Sequence, residues 1–185
     1  MRKAGVFSEF VVQNKIAVEL YSNKCHIKRM KSQKIDKIDK AILTQLQFTA
    51  TIPIAELAEK VGLSPSACHR RVKLLEVQGV ITGYAARLDG AALGFTNEFF
   101  VEVSLAAQTE TAFEKFEAAV QRVPEILECH LMSGQFDYLL RVAAADANDY
   151  ERIHRTKLAR LPGLQRLQSS LALRNVKLWS GYPVV

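Results

Sequence analysis

One stretch of the chain brings hydroxyl, imidazole and cationic side chains together at the spacing of an α-helix. These side chains are Ser64, Ser66, His69, Arg70, Arg71 and Lys73. Arginine is the usual partner of guanine in the major groove of DNA, where its guanidinium donates two hydrogen bonds to O6 and N7. Lysine and arginine also pair with phosphates, which adds affinity but carries no sequence information. The stretch therefore indicates recognition of nucleic acid by a helix.

The periodicity of this stretch indicates which of its side chains are exposed. A core-facing stripe at i, i+4 and i+7 is formed by Cys68, Val72 and Leu75. A recognition helix enters the major groove with its N-terminal half, so we expect Ser66 and Arg70 nearest the base edges. Arg71 and Lys73 are expected to contact phosphates, and Ser64 and Ser66 to help the helix N-terminus meet one. The alternative, a solvated face of a protein-binding domain, stays open at this point.

A second stretch places a carboxylate beside flexible backbone. Its residues are Ser133, Gly134, Gln135, Asp137 and Tyr138. Glycine allows a ligand to approach the backbone closely, the Asp137 carboxylate can accept hydrogen bonds from an ammonium group, and free amides near Ser133 can meet a carboxylate. The alternative is a plain hairpin in which Asp137 accepts hydrogen bonds of the turn and Tyr138 lies in the core. The residues alone favour the hairpin.

Cysteine is followed by histidine three times, which raises the question of a metal site. The dipeptides begin at Cys25, Cys68 and Cys129, separated by 43 and 61 residues. Zinc sites of fingers and ribbons use much shorter spacings, so we expect no metal. A nucleophile elbow, a Walker loop and a dinucleotide-binding motif are all missing from the sequence. We therefore expect neither an enzyme nor a cofactor.

The elements around the first stretch predict a winged helix-turn-helix. Ile38, Ile42 and Leu46 mark a first helix, and a second runs from about Pro53, the expected first helical residue, to Gly62. Ser64 is the expected N-cap of a third helix that stops near Gly79. The β-branched and aromatic residues at 80–85 predict a short strand or hairpin, the wing.

The second half of the chain alternates strand and helix patterns. Strands are expected from Phe99 to Leu105 and over 126–133, 136–143 and 167–178, and the helices are marked by Phe113 to Val123 and Tyr150 to Leu161. The order βαββαβ predicts a ferredoxin-like domain and an α+β protein. The expected divisions are an N-terminal extension (1–34), a winged helix-turn-helix domain (35–88), a linker (89–97) and a ferredoxin-like effector and oligomerisation domain (98–180).

Charge gives little support to the nucleic-acid hypothesis. The 185 residues carry a net charge of +6, but this excess lies in residues 1–34, which hold eight basic and two acidic residues. Met30 is a plausible alternative translation start, which would leave most of that segment outside the native protein. Three distant cysteines and the lack of a long apolar run predict a cytoplasmic protein with no membrane partner.

The motifs resemble those of the Lrp/AsnC (feast/famine) transcriptional regulators. In the first half the likeness is carried by Ile38-Asp39, Glu56-Leu57-Ala58, Val61-Gly62-Leu63-Ser64-Pro65 and Cys68-His69-Arg70-Arg71-Val72. In the second half it is carried by Glu128-Cys129-His130-Leu131, by 133–140 and by Leu161-Pro162-Gly163. The resemblance covers residues 35–178. It implies binding of double-stranded DNA, a homodimer that commonly assembles into an octamer, and an amino-acid effector bound between neighbouring dimers.

The same resemblance implies a set of effector positions. Those that match the signature are Leu131, Ser133, Gly134, Asp137 and Tyr138, with Gln135 inside it. Further effector-response positions are Ala147, Ser170, Leu171 and Ala172. Some relatives carry an aromatic residue in place of Ser170 and an acidic residue in place of Gln135, so the sequence does not name the amino acid. A module that has lost DNA binding and only senses a ligand or docks a protein is the remaining alternative.

Overall fold

The computed structural model describes residues 35–184, which form two compact units. The first unit reaches Ala85 and also includes the segment from Ser180, and the second spans Ala86–Trp179. The extension expected at residues 1–34, including Cys25, lies outside the described residues. No helix in the described part of the chain is long and apolar enough to cross a membrane.

In the first unit, the described residues form three helices around a small apolar core. They are α1 (Lys37–Phe48), α2 (Ile54–Val61) and α3 (Pro65–Val77). The predicted stripe of α3 is confirmed, because Cys68, Val72 and Leu75 are buried against Ile42 and Leu57. The opposite face of α3 therefore remains exposed.

Local signals fix where these helices begin and end. Asp36 and Asp39 form a reciprocal capping box at the start of α1, and the Ser64 hydroxyl accepts a hydrogen bond from the Ala67 amide at the start of α3. Gly62 ends α2 with a φ of 69°, a left-handed conformation that glycine adopts without a steric penalty. Pro53 is the N-cap of α2 rather than its first helical residue.

The hairpin expected at residues 80–85 does not form within the described chain. No strand occurs between α3 and Asn97. The amides that would begin a ladder are already used, because Val80 and Ile81 both donate to the Leu75 carbonyl at the end of α3. The segment in the wing position is therefore irregular, and its Tyr84 hydroxyl donates to Glu76 Oε1 at 3.0 Å.

The C-terminal segment returns to the first unit and contacts α1. Gln47 Oε1 accepts from the Tyr182 amide at 2.6 Å, and Gln47 Nε2 donates to the Tyr182 carbonyl at 3.2 Å. Gly181 lies beside this pair with a φ of 97°, where a Cβ would overlap Gln47 Oε1. Sequence periodicity carried no signal for this contact, because it joins residues 135 positions apart.

The second unit is a four-stranded antiparallel sheet with its helices on one face. In chain order its elements are β1 (Asn97–Leu105), α4 (Glu110–Val120), β2 (Ile126–Leu131), β3 (Tyr138–Ala144), α5 (Ala147–Thr156), a short 3-10 turn (Leu158–Arg160) and β4 (Leu164–Leu171). The sheet order β2-β3-β1-β4 is that of a ferredoxin-like fold. The prediction of α+β class and βαββαβ order is confirmed.

The last strand differs from its prediction. β4 covers Leu164–Leu171 instead of 167–178. It ends where its partner ends, since β1 begins at Asn97 and the last hydrogen bond joins the Ala172 amide to the Glu98 carbonyl. Leu173, which lies inside the predicted strand but beyond the end of β4, is 90% exposed.

The core of this unit lies between the sheet and its helices. Alternate residues of β1 and β3 point into it, among them Val101, Val103 and Leu140, and they pack against Phe116 of α4 and Ile153 of α5. The opposite face of the sheet carries charged and apolar residues, for example Glu98, Phe100, Glu102, Leu139 and Arg141.

Candidate nucleic-acid interface and ligand site

Arg70 is the cation of α3 that remains available to an external partner. Its side chain is exposed, and within the described part of the chain it makes no ion pair or hydrogen bond. Ser66 and His69 are exposed beside it. A guanidinium with all its donors free can bind a base edge in two places at once.

Arg71 is committed within the protein. Its Nη1 donates to Asp36 Oδ2 at 2.8 Å and to Asp39 Oδ1 at 2.7 Å, which ties α3 to the N-terminus of α1. The capping hydrogen bond from the Asp39 amide and then the Arg71 guanidinium hold the pKa of Asp36 below its ordinary 3.8. A phosphate contact by Arg71, as the sequence predicts, would have to break these pairs.

We expect Arg71→Ala to lower the melting temperature at neutral pH, and the difference from wild type to shrink on acidification. The pKa of Asp36 is lowered in the folded state. The stabilisation by its charged carboxylate is therefore fully present above pH 3.8 and is lost as the pH falls through the lowered pKa. Melting curves between neutral pH and about pH 3 measure this. Arg155→Ala, which breaks an exposed pair with Glu151, is the matched control. A difference that stays constant with pH would contradict the assignment.

Lys73 forms an ion pair with Glu76, and a DNA phosphate can take the place of Glu76 in this pair. Its Nζ is 2.7 Å from Glu76 Oε2, and both side chains are solvent-accessible. Glu76 also accepts from Tyr84, and these hydrogen bonds, that from Lys73 first, lower the pKa of Glu76. Burial, and then the hydrogen bond to Glu76, raises the pKa of Tyr84 to about 12. Exposed ion pairs are weak, so the structure leaves the predicted phosphate contact of Lys73 open.

The two serines lie at the start of α3. Ser64 Oγ receives the Ala67 amide, and Ser66 Oγ is 3.3 Å from Ser64 Oγ. Both side chains are exposed. The N-terminus of α3 thus presents two exposed hydroxyls, groups that can donate to a phosphate.

In the second unit, Asp137 is a nearly buried carboxylate held by two neutral donors. Only 9% of the Asp137 surface is exposed to solvent. Oδ2 accepts from the Leu105 amide at 2.7 Å, and Oδ1 accepts from Gln108 Nε2 at 2.8 Å. The register of β1 against β4 shifts between Ser104 and Leu105, and the Leu105 amide turns to the carboxylate at this point. No lysine, arginine or histidine among the described residues pairs with Asp137.

Tyr138 lies in the core, as the hairpin alternative proposed. Its ring contacts those of Phe113 and Phe116, and its hydroxyl donates to Glu117 Oε1 at 2.8 Å. Burial, and then this hydrogen bond, raises the pKa of Tyr138. The Tyr138 ring is thus buried in the core, and a ligand contact by the ring itself would require it to move.

The loop between β2 and β3 holds the other signature residues in exposed positions. Ser133, Gly134 and Gln135 are exposed, and Leu131 lies at the exposed edge strand. Gly134 has a φ of 154°, a backbone conformation that side-chain-bearing residues rarely adopt. The loop predicted to meet a ligand carboxylate is thus exposed to solvent and directly precedes Asp137 in the chain.

The predicted effector positions fall at opposite ends of the sheet. Tyr138 pairs with Val103 at one end, whereas Ala144 pairs with Asn97 at the other. The remaining positions, Ala147, Ser170, Leu171 and Ala172, belong to that far end. β3 has seven residues, or about 20 Å at ~3.3 Å per residue. A pocket that used both groups would therefore need a second chain.

Two of the three cysteine-histidine dipeptides, those at Cys68 and Cys129, lie among the described residues. Among residues 35–184 no cluster of three His, Cys, Asp or Glu side chains could hold a metal ion. Cys68 is buried in the first core, and burial, together with the nearby Glu117 charge, raises the pKa of Cys129 to about 11. Neither thiol is activated.

Sequence reasoning missed two residues that contact the predicted site residues, Glu76 beside Lys73 and Gln108 beside Asp137. Glu76 could have been found from its i, i+3 spacing to Lys73. Gln108 had no such signal, because it lies 29 positions from Asp137 and in a link between elements. Its position became evident only from the fold.

The described helices of the first unit, with an exposed arginine on α3, and the ferredoxin-like second unit fit a DNA-binding regulator of the winged helix-turn-helix class. A model of winged helix-turn-helix DNA-binding domains matches residues 35–82, and a model of the Lrp/AsnC ligand binding domain matches residues 98–180. The chain belongs to the Lrp/AsnC family of transcriptional regulators.

Individual relatives agree along almost their whole length. The chain is 43% identical over 154 residues to the leucine-responsive regulatory protein of Haemophilus influenzae, covering 82% of this chain and 93% of that protein. It is 41% identical over 150 residues to that of Escherichia coli K12, covering 81% and 92%.

Two solved structures share the fold at useful identity. A transcriptional regulator of Neisseria meningitidis in complex with L-methionine has a TM-score of 0.78 and 36% identity, over 82% of this chain and 97% of that one. An AsnC family regulator of Agrobacterium tumefaciens has a TM-score of 0.77 and 33% identity, over 80% and 97%. Both likenesses extend across the helix-turn-helix and the ferredoxin-like units.

Proposed function

We propose that this protein is a cytoplasmic transcription regulator that binds double-stranded DNA through α3 and changes its DNA binding in response to a free amino acid. The main support for an amino-acid effector is that the Asp137 carboxylate is nearly buried and has no cationic partner among the described residues. An isolated buried charge is costly, and an amino acid's ammonium group would supply the missing positive charge. No enzymatic step and no cofactor beyond this effector belong to the proposal.

On the DNA side, Arg70 is the proposed base-reading residue. It is exposed and uncommitted, while Arg71 is held by two carboxylates. Ser64, Ser66, His69 and Lys73 would contribute phosphate contacts that position the helix. A fluorescence-anisotropy titration against the promoter of the chain's own or adjacent gene tests this. Binding that is salt-sensitive but blind to sequence would contradict it.

On the effector side, Asp137 would accept the ammonium group and free amides of the 133–135 loop would meet the carboxylate. The solved Neisseria relative, which carries L-methionine, supports an amino acid as the ligand class. A thermal-shift screen of the twenty amino acids identifies the effector, because a ligand that binds only the folded state raises the melting temperature. No shift with any of them would overturn the effector assignment and leave the DNA assignment standing.

The proposed assembly is a homodimer that builds into an octamer. The two groups of effector positions lie at opposite ends of one sheet, so a shared pocket between neighbouring dimers would bring them together. A two-fold dimer predicts an imperfect palindrome as its DNA site. The effector would then act by favouring one assembly state over another. Native mass spectrometry with and without amino acid measures this, and a monomer in both conditions would contradict it.

A further inference from the structure

The side-chain amide of Gln108 covers one oxygen of the Asp137 carboxylate. Gln108 Nε2 lies 2.8 Å from Asp137 Oδ1. Gln108 is exposed and directly precedes Thr109, the N-cap of α4. A neutral donor on an exposed side chain therefore lies against Asp137 Oδ1.

The rest of the Asp137 contacts come from the backbone and do not depend on Gln108. Oδ2 is fixed by the Leu105 amide at 2.7 Å. The Asp137 amide donates to the Val103 carbonyl at 2.9 Å, and the Met132 amide donates to the Asp137 carbonyl at 2.8 Å. The carboxylate is thus held in place by strand backbone, and Oδ1 is the one oxygen whose partner can leave.

We propose that Gln108 is a displaceable donor that sets the affinity and the amine specificity of the effector site. An ammonium group would take Oδ1 in place of the Gln108 amide, because charge-assisted hydrogen bonds to a carboxylate are stronger than those from a neutral amide. This inference rests on the proposed function. Gln108 acts through Asp137 and is a positioning residue.

Two substitutions move the affinity in opposite directions. Gln108→Ala removes the competing donor, so effectors that carry an amine bind about threefold to tenfold tighter, the factor that one neutral hydrogen bond contributes. Gln108→Lys supplies an ammonium group from the chain itself, which competes with the effector and weakens binding by at least about tenfold. A role limited to folding would not produce this opposition.

The experiment is calorimetry of the full chain with L-methionine and with its 2-hydroxy analogue, which has no ammonium group. Gln121→Ala and Gln121→Lys are the matched controls, since Gln121 is an exposed glutamine at the other end of α4. We expect opposite shifts for the Gln108 pair with methionine, little change with the analogue, and none for the Gln121 pair. Weaker binding in Gln108→Ala, or equal shifts for the two ligands, would overturn the proposal.

Melting temperatures separate this proposal from the effector assignment, and they decide it if L-methionine does not bind. A lysine at position 108 should pair with Asp137 and raise the melting temperature above that of Gln121→Lys. The gain should disappear when Asp137→Asn is added. If no amino acid shifts the wild-type protein, the effector class is wrong, whereas a missing gain in Gln108→Lys overturns the displaceable-donor proposal itself.

Discussion

Replacing Arg70 by alanine is expected to remove most of the protein's preference for its operator over random DNA. The side chain is exposed and uncommitted within the described chain, so the loss is a loss of contacts and not of folding. A bidentate contact to a base contributes about 1–3 kcal/mol of discrimination, and a dimer would lose it at both half-sites. Competition binding of the operator against random DNA at fixed salt measures the ratio.

Lys73→Ala is the matched control for this experiment. Lys73 lies one helical turn further along the same face, and its Glu76 pair is exposed. Removing a phosphate contact should weaken binding to operator and random DNA alike. It should also reduce the slope of the logarithm of the binding constant against the logarithm of salt concentration by about one. If Arg70→Ala also weakened both DNAs equally, Arg70 would be a phosphate contact and the base-reading role would be wrong.

The sequence predicted those features that depend on neighbours along the chain. The stripe of Cys68, Val72 and Leu75 and the cap at Ser64 follow from helical spacing, and the order of the second unit follows from alternating patterns. These signals are local, since a helix face or a cap needs only residues within a few positions.

The features that escaped prediction depend on distant partners. The sequence predicts that Arg71 is a free cation on a helix surface, but in the structure Asp36 and Asp39 at the start of the first helix pair with it. The pattern of β4 continues to Leu178, but β1 is too short to pair with it. The wing residues favour a strand, yet Val80 and Ile81 donate to the end of α3. In each case the decisive hydrogen bond joins elements that the sequence alone cannot place side by side.

Replacing Asp137 by asparagine is expected to abolish the response to the effector while the fold and DNA binding survive. The asparagine carbonyl can still accept from the Leu105 amide, and the Gln108 amide can rotate so that its oxygen accepts from the new NH₂ group. What disappears is the negative charge that would bind an ammonium group. Calorimetry with the amino acid found in the thermal-shift screen and DNA titration measure the two properties separately.

Asp137→Ala should lose the same response but also destabilise the protein. It leaves the buried Leu105 amide without its acceptor, and an unsatisfied buried donor costs about 1–3 kcal/mol. DNA binding below the melting temperature should remain, because α3 belongs to the other unit. The asparagine variant is therefore the decisive test. Unchanged effector affinity in Asp137→Asn would show that the carboxylate only accepts the Leu105 amide and that the ammonium group binds elsewhere.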